Sequence, residues 1–305
     1  GGMGKDTVTT GAGTDVVIGA SGDDAITVNG TGSKTINGGP GTDSLAITVS
    51  GISSVGDFKS ISRSSNASDS SMTFTYANND TIVLQGIETF TVNGKTYTDV
   101  VNYSKDFLGN LWNASEHAIY LYNRTDHSGA STELARPFHE IKSYYPGIES
   151  ESTRDLKIVG SSKGDSLNLN IDRVKDSSSD YELSGSYLIN LGDGPDSIHS
   201  ARLIAGDSID MGSGDDTLYI YYEYSASSIA KLDGGAGSDT LHTGGSSTLT
   251  LTSFGATNFE NLVGSGSGET IQGDGVSNIL VGAGGVDLIY GNGGDDFIFA
   301  YNEIS

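Results

Sequence analysis

An aspartate recurs at a nine-residue spacing near the start of the chain, each time behind a glycine-rich turn. Asp6, Asp15 and Asp24 keep that spacing, and Asp43 returns to it after a one-residue slip at Lys34. Carboxylates at one constant register suit calcium, which takes hard oxygen ligands at roughly 2.3–2.6 Å, better than they suit zinc. The alternative is that these aspartates only favour turns. Turn preference explains an aspartate in each turn but not its constant position.

The same register returns in the middle and at the end of the chain. The C-terminal positions are nine residues apart and are Glu269, Asn278, Asp287 and Asp296. Isolated copies of the motif in between place four more acids, Asp196, Asp207, Asp216 and Asp239. Together with the four N-terminal aspartates, these residues are the predicted metal ligands. Asn278 offers only a neutral oxygen, which weakens its site, and Lys34 puts a cation where a ligand should be.

Short strands and tight glycine turns must position these acids. The first repeat, Gly1 to Val8, reads Gly-Gly-x-Gly-x-Asp-x-apolar. Glycine allows positive φ and close backbone approach, and the apolar residue two after the acid points inward because strand side chains alternate. Successive coils of such strands would stack at about 4.8 Å.

These residues resemble the RTX family of nonapeptide calcium-binding repeats. The resemblance implies an all-β fold, a calcium-bound parallel β-roll (a β-solenoid) in which two nonapeptides make one coil. With two repeats per coil, acids on one side lie eighteen residues apart, so Asp6 pairs with Asp24 and Glu269 pairs with Asp287. Here the roll is expected to be interrupted by an inserted, partly antiparallel β unit. The family also implies export through a type I secretion system and a chain that is unfolded at low cytosolic calcium. Metal binding outside the cell then supplies folding free energy.

The pattern divides the chain into four regions. They are an N-terminal RTX β-roll block (1–46), a non-repeat β insertion (47–159), an irregular β region with scattered RTX turns (160–260) and a C-terminal RTX β-roll block (261–305). In the insertion, alternating residues from Met72 to Tyr76 and the turn signature Val92-Asn-Gly-Lys95 predict antiparallel strands. The spacing of apolar residues from Phe107 to Trp112 indicates a helix. The tyrosines between residues 219 and 224 either stack on a sugar ring or pack as ordinary strand aromatics.

Composition favours a divalent metal as the partner. The 305 residues include 39 acidic and 16 basic ones, a formal net charge of −23. Such self-repulsion disfavours a compact state without counter-cations, and it argues against binding to nucleic acid or anionic membranes. The chain has no cysteine and hence neither disulfides nor thiolate metal sites. No segment reaches the roughly 18 apolar residues of a transmembrane helix. Because the chain begins inside a repeat, we expect it to be part of a longer protein.

Patterns that resemble catalytic motifs are better explained by the repeats. Gly160-Ser-Ser-Lys-Gly164 matches the nucleophile-elbow pattern, but it lies in a degenerate repeat turn without a strand-to-helix context. The five histidines form no pair at metal-binding spacing. Paired acids such as Asp215 and Asp216 could in principle serve a glycosidase, but they occupy repeat positions five and six. We therefore expect no enzymatic activity from this chain.

The sequence predicts a calcium-binding structural or adhesive segment of a large secreted bacterial RTX protein, placed at the cell surface. An adhesin or a surface-layer protein would fit, with the inserted region as a spacer or as an element that binds a cell-surface glycan or protein. The alternative is the non-catalytic calcium-binding module of a secreted RTX enzyme, such as a protease, lipase or alginate epimerase. The repeat block of a pore-forming toxin would need an amphipathic or apolar helical segment, which the sequence does not show.

Overall fold

Two compact units make up the chain, Gly1–Ala130 and Ser131–Ser305. In a computed structural model, the described residues are 1–63, 71–102, 108–113, 115, 118–121, 123–124, 131–133, 155–160, 164–168, 186–200, 203, 206–220, 231–243 and 248–300. Nearly all of their regular structure is β-strand, which confirms the all-β prediction.

The described residues of the first unit form fifteen strands and one short 3-10 helix, Val55–Asp57. The strands are β1 (Gly2–Met3), β2 (Thr7–Thr10), β3 (Asp15–Ile18), β4 (Ala20–Ser21), β5 (Ala25–Val28), β6 (Lys34–Asn37), β7 (Ser44–Ile47), β8 (Ser60–Arg63), β9 (Met72–Thr75), β10 (Thr81–Gln85), β11 (Thr89–Val92), β12 (Lys95–Asn102), β13 (Leu108–Asn113), β14 (Ala118–Leu121) and β15 (Asn123–Arg124).

Parallel pairing stacks the repeats of the first unit into coils. Strands β2, β5 and β7 pair in parallel on one side, while β3 and β6 pair on the other. The stack continues beyond the last N-terminal repeat, because β10 pairs in parallel with β6 and β11 pairs in parallel with β7. The coil geometry therefore extends into a stretch in which the nonapeptide pattern is no longer visible.

The apolar residue two positions after each acid forms the core of these coils. Ile26, Ile36 and Leu45 are all almost completely buried. Aromatic residues extend this core where the repeats end, and Phe74 contacts Phe90 with 5.6 Å between ring centroids. The inward orientation predicted from strand alternation is thus confirmed for the stacked repeats.

Antiparallel strands flank the parallel stack of the first unit, as the sequence predicts. Strands β8, β9 and β10 form one antiparallel series, and β11 to β14 form another. In the β11–β12 hairpin, Val92 pairs with Lys95, and the two turn residues Asn93 and Gly94 have φ of 47° and 79°. Positive φ at both positions is the geometry that an Asn-Gly turn favours.

The helix predicted from apolar spacing near Trp112 is wrong. The residues Leu108–Asn113 form strand β13, which pairs antiparallel with β12 on one edge and β14 on the other. A short apolar run has no decisive period of its own, and here strand partners on both edges satisfy its backbone groups. Phe107, the first residue of that spacing, lies outside the described residues.

In the part of the second unit that the structure describes, there are sixteen strands and one 3-10 helix, Ser253–Gly255. The strands are β16 (Ser131–Glu133), β17 (Leu156–Val159), β18 (Ser166–Asn168), β19 (Tyr187–Asn190), β20 (Ser197–Ser200), β21 (Ser208–Asp210), β22 (Thr217–Ile220), β23 (Lys231–Asp233), β24 (Thr240–Thr243), β25 (Thr248–Thr250), β26 (Ala256–Thr257), β27 (Asn261–Val263), β28 (Thr270–Gln272), β29 (Ile279–Val281), β30 (Leu288–Tyr290) and β31 (Phe297–Phe299).

Every strand pair described within the second unit is parallel, which makes this unit a β-solenoid. One sheet has the order β16-β18-β20-β22-β24-β27-β29-β31, a second series runs β17-β19-β21-β23-β26, and a third runs β25-β28-β30. Leu167, Ile198, Leu218, Leu241 and Leu262 follow one another through the first sheet, and all are fully buried. They lie at the repeat's apolar position.

Neither of the two helices described in this chain is long enough or apolar enough to cross a membrane.

Candidate metal sites

Acids in successive coils of the first unit are joined by hydrogen bonds from backbone to side chain. The N–H of Asp6 donates to Asp24 Oδ1 at 2.8 Å, and the N–H of Asp24 donates to Asp43 Oδ1 at 2.8 Å. The N–H of Asp43 then donates to Glu88 Oε2 at 2.6 Å. We call these four residues the first acid row. Asp6 and Asp24 are eighteen residues apart, the step that the repeat spacing predicts.

A longer row with the same bonding runs through the second unit. The N–H groups of Asp165, Asp196 and Asp216 each donate to Oδ1 of the next acid, over 2.6, 2.7 and 2.8 Å. The N–H of Asp239 donates to Glu260 Oε2 at 2.9 Å. These five residues form the second acid row. The middle copies of the motif, scattered in sequence, are therefore neighbours in space.

Five acids of these rows use Oδ1 in the ladder and keep a buried Oδ2 without a hydrogen-bond partner among the described residues, namely Asp24, Asp43, Asp196, Asp216 and Asp239. In the C-terminal repeats, Asp287 Oδ2 and Glu269 Oε2 are buried in the same way. A buried, ionised carboxylate oxygen is costly unless a cation or a donor compensates it. Such an oxygen in several successive turns is what a row of cation sites requires.

A glycine and a carbonyl oxygen lie beside the unpartnered oxygen. A Cβ placed on Gly19 would lie 2.2 Å from Asp24 Oδ2 and 2.5 Å from Gly38 O of the next coil. A Cβ on Gly282 would lie 2.4 Å from Asp287 Oδ2 and 2.7 Å from a carbonyl oxygen in the following coil. Only glycine leaves room for these oxygens to converge. A carboxylate with nearby carbonyls fits the oxygen-only shell that calcium prefers.

Backbone carbonyls are a necessary part of any such shell. Among the described residues, no group of three or more His, Cys, Asp or Glu side chains is placed to hold a metal ion. Calcium takes six to eight oxygen ligands, commonly including carbonyls, so a site with one or two carboxylates is compatible with it. Zinc and other metals that prefer nitrogen or sulfur ligands fit this donor set poorly.

Burial and neighbouring charge raise the pKa of three acids in the second acid row. Desolvation, assisted by the nearby carboxylates of Asp165 and Asp216, raises the pKa of Asp196 to about 8. Desolvation also raises the pKa of Asp216 and of Asp239 to about 6 each. Hydrogen bonds from the ladder oppose the shift without cancelling it. Ionising these acids in the folded protein therefore costs free energy, and a bound cation would reduce that cost.

The C-terminal repeats contain both the expected pairing and one weak position. The N–H of Glu269 donates to Asp287 Oδ1 at 3.0 Å, and the N–H of Asn278 donates to Asp296 Oδ1 at 3.0 Å. The side chain of Asn278 donates from Nδ2 to Glu260 O and accepts at Oδ1 from a backbone N–H. Both of its polar atoms are thus occupied within the protein, which makes Asn278 a poor metal ligand here.

Two predicted ligands have no acid in the next stacked turn that the structure describes. Asp207 Oδ1 accepts the N–H of Tyr187, which is the residue at the matching position in its neighbouring coil. Asp15 faces Lys34 in the parallel pair of β3 and β6. The stacking that brings the other predicted ligands together is absent at these two positions.

Three ladder residues were missing from the ligands predicted by sequence, namely Glu88, Asp165 and Glu260. Each keeps the motif's core of an acid followed two residues later by a buried apolar residue, as in Glu88 with Phe90 and Glu260 with Leu262. Glu260 also lies nine residues before Glu269. That spacing could have identified Glu260 as a ladder residue. It is hard to recognise because the acid is a glutamate and the preceding turn lacks the repeat's glycines.

The other candidate features are only partly described. Residues 161–163 of the elbow-like pattern and the tyrosines at 221, 222 and 224 lie outside the described residues. Tyr219 stacks between His199 and His242, with 4.2 Å between ring centroids on each side. Burial lowers the pKa of both histidines, and that of His242 falls to about 4 with His199 contributing. This ladder explains Tyr219 as an aromatic packed between neighbouring strands.

Comparison with known proteins identifies the repeats. A family model for the RTX calcium-binding nonapeptide repeat matches residues 1–30, 231–247 and 263–301. These segments are RTX repeats. They contain the first copies of the N-terminal motif, the copy around Asp239 and the C-terminal block, whereas the acid rows extend beyond them through Asp43, Asp196 and Asp216. Calcium binding is therefore the property of the family to which these repeats belong.

Among solved structures, the chain is similar to the extracellular lipase LipA from Serratia marcescens, at 16% sequence identity and a TM-score of 0.25. The similarity covers 86% of this chain but 31% of the lipase, so the chain spans much less than the whole of that protein. No curated protein matches the chain.

Proposed function

We propose that this chain is a non-catalytic, calcium-binding structural segment of a large secreted bacterial protein, with an adhesive or surface-layer role. Extracellular calcium drives its folding to completion by stabilising coils that are only marginally stable without metal. The observation that carries the proposal is the pair of acid rows, in which two acids of the first row and three of the second keep a buried carboxylate oxygen without a hydrogen-bond partner among the described residues.

Coupling of folding to calcium follows from the way the rows are built. The acids of a row come together only when the coils stack, so the sites do not exist in the unfolded chain. Binding free energy then contributes directly to folding. The net charge of −23 adds to this dependence, because the unbound carboxylates within a row repel one another when its coils stack.

The hydrogen bonds that the paired acids make between coils support a structural role rather than catalysis. Asp216 accepts the N–H of Asp196 through Oδ1, and its neighbour Asp215 accepts the N–H of Ser238 at 3.0 Å. A glycosidase would need such a carboxylate pair to face a substrate. Here both side chains are hydrogen-bonded between coils.

Adhesion would depend on the parts that depart from the repeat. In the first unit, β8 and β9 and the series β12 to β14 extend the parallel stack with antiparallel strands. The sequence of such an extension does not have to keep the glycines and acids that the repeat turns require. We propose that a cell-surface glycan or protein binds there.

Calcium titration of the whole chain tests the structural part of the proposal. Circular dichroism should show a gain of β signal on addition of calcium, with a large rise in melting temperature. Magnesium at the same concentration should have a much smaller effect, because it demands a tighter octahedral shell. A melting temperature that a strong calcium chelator leaves unchanged contradicts calcium-coupled folding.

A binding screen tests the adhesive part separately. The calcium-loaded chain is applied to a glycan array and to immobilised bacterial and host surface proteins. Saturable binding that a chelator abolishes supports the adhesive role. Binding to none of them, together with a catalytic domain elsewhere in the parent protein, supports the alternative of a calcium-binding module in a secreted enzyme.

A further inference from the structure

A buried lysine lies among the turn oxygens of the first unit. Lys34 is at the acid position of its repeat, and its side chain has no exposed surface. Its Nζ donates to Gly13 O at 2.5 Å, to Thr31 O at 3.0 Å and to Gly32 O at 3.2 Å. Asp15 Oδ2 lies 3.4 Å away from the same nitrogen. One ammonium group thus has three carbonyl oxygens and one carboxylate around it.

These oxygens are of the same kind as those beside the acid rows. Gly13 and Gly32 hold the fourth position of their repeats, and a Cβ on Gly32 would lie 2.3 Å from Gly13 O. In the matching turns across the coil, a Cβ on Gly22 would lie 2.1 Å from Gly4 O. Asp15 supplies the acid of its repeat, as Asp24 does on the other side. The oxygens around the lysine ammonium are therefore those of a repeat turn.

We propose that the ammonium of Lys34 is a built-in cation that takes the place of a calcium ion between the coils of Asp15 and Lys34. This inference rests on the proposed function, since it assumes that the other turns bind calcium. An ammonium with three donors satisfies three carbonyl oxygens, and its charge compensates the carboxylate of Asp15. This turn then assembles without metal, whereas the opposite turns of the same coils do not.

Lys34→Asp is the decisive variant, because it exchanges the built-in cation for a ligand. Asp15 pairs with position 34 over the same nineteen-residue step that joins Asp24 to Asp43. The new carboxylate therefore lies beside that of Asp15 and the turn carbonyls, while the N–H of Asp15 keeps its bond to Ser33 O. We expect the variant to bind one more calcium ion per chain than the unmodified protein, measured by equilibrium dialysis.

Hydrogen exchange locates the effect in the turn itself. The N–H of Gly13 donates to Thr31 O and the N–H of Asp15 donates to Ser33 O, so peptides covering residues 11–18 report on this turn. In chelator, these peptides should lose protection in Lys34→Asp relative to the unmodified chain, and calcium should restore it. Lys34→Met should lose protection in the same way, but calcium should not restore it.

Lys157→Asp is the matched control. Lys157 is exposed on a strand of the second unit, so its substitution makes the same change of charge away from any turn. It should change neither the number of bound ions nor the protection of residues 11–18.

Three results overturn the inference. They are an unchanged ion count in Lys34→Asp, full protection of residues 11–18 in Lys34→Met under chelator, and failure of calcium to restore Lys34→Asp. A different result, no calcium bound by the unmodified chain, contradicts the proposed function instead. The dialysis measurement on the unmodified chain therefore separates the two failures.

Discussion

The two sides of the N-terminal coils differ in the charge at one position. On the side of the first acid row, Asp24 and Asp43 stack with their spare oxygens buried and without a protein partner in the described part of the chain. On the other side, Asp15 stacks on Lys34, whose ammonium contacts three carbonyl oxygens. Strand pairing is parallel on both sides, and the coil step is the same.

This difference shows that the backbone conformation of the turn does not depend on the charge of the residue at the acid position. The glycines and the parallel strands place carbonyl oxygens in the turn whether the acid position holds aspartate or lysine. Side-chain charge then decides whether the turn must recruit a cation from solution or already has one. Substituting these charged residues on one side of the coils at a time should therefore change the free energy of unfolding most.

Asp24→Asn combined with Asp43→Asn should have the largest effect. Each amide keeps an oxygen that can accept the ladder hydrogen bond, but the charge that attracts calcium is lost. At free calcium about a thousand times the dissociation constant, each lost site removes about 4 kcal/mol from the free energy of unfolding. Denaturant unfolding in calcium should show this loss, and unfolding in chelator should not. An equal loss in both buffers contradicts metal binding at the first acid row.

Asp15→Asn is the corresponding change on the lysine side. It removes the only acid described as an ion-pair partner of Lys34, so the free energy of unfolding should fall by about 1–3 kcal/mol. Because no calcium is involved, the loss should be the same in calcium and in chelator. A loss confined to calcium buffer would place a metal ion on this side as well.

Glu260 tests whether the ladder stabilises the fold independently of metal. Glu260→Ala leaves the N–H of buried Asp239 without its acceptor, which should cost about 1–3 kcal/mol. Glu260→Gln keeps an oxygen acceptor and should retain most of the stability in chelator. Unfolding of both variants in chelator measures the ladder alone. If the two variants are equally destabilised, the hydrogen bond to Glu260 is not the source of the effect.

The metal-free protein should become more stable as pH falls from 9 to 6. The folded-state pKa of Asp196, about 8, is raised above the ordinary value of 3.8. Its protonated form therefore contributes stability that is fully present below the unfolded pKa and is lost as pH rises through about 8. Melting temperatures in chelator measure this, and Asp196→Asn should flatten the profile. A melting temperature that rises with pH over this range contradicts the burial of uncompensated charge in the second acid row.

The smallest effect on stability should come from titrating His242. Its ring stacks on Tyr219 of the neighbouring strand, so this contact between coils is aromatic and involves no cation. Burial lowers the pKa of His242 to about 4, below its ordinary 6.5. The neutral ring thus contributes stability above pH 6.5 that is lost as pH falls through about 4, on the order of 1 kcal/mol after solvent screening. His242→Phe keeps the stacking without titrating. The two proteins should therefore diverge in melting temperature only below pH 6.5.

Constant spacing was what made the fold and part of the site predictable. The nine-residue register identified the parallel β-roll and paired Asp6 with Asp24 and Glu269 with Asp287, because every coil there has nearly the same length. In the second acid row, neighbouring acids are 31, 20, 23 and 21 residues apart, so no fixed spacing connects them. Their stacking does not depend on a constant number of residues per coil, so periodicity cannot detect it.

The remaining differences have local causes. Glu88 and Glu260 escaped notice because a longer acid replaced aspartate in a turn without its glycines. The supposed helix near Trp112 rested on apolar spacing, while the antiparallel partners β12 and β14 were invisible in the one-dimensional pattern. For Lys34, the loss of an acid ligand was predictable from its charge. Its contacts with three carbonyl oxygens were not predictable, because the sequence does not show where the turn directs those oxygens.

The unequal coil lengths of the second acid row have a consequence for how such a protein can change over time. The step from Asp165 to Asp196 is 31 residues and that from Asp196 to Asp216 is 20, yet the acid and apolar positions of these coils remain in line. The chain length between those positions can therefore change without restacking the neighbours. Selection for new sequence between the coils then need not conflict with selection for folding.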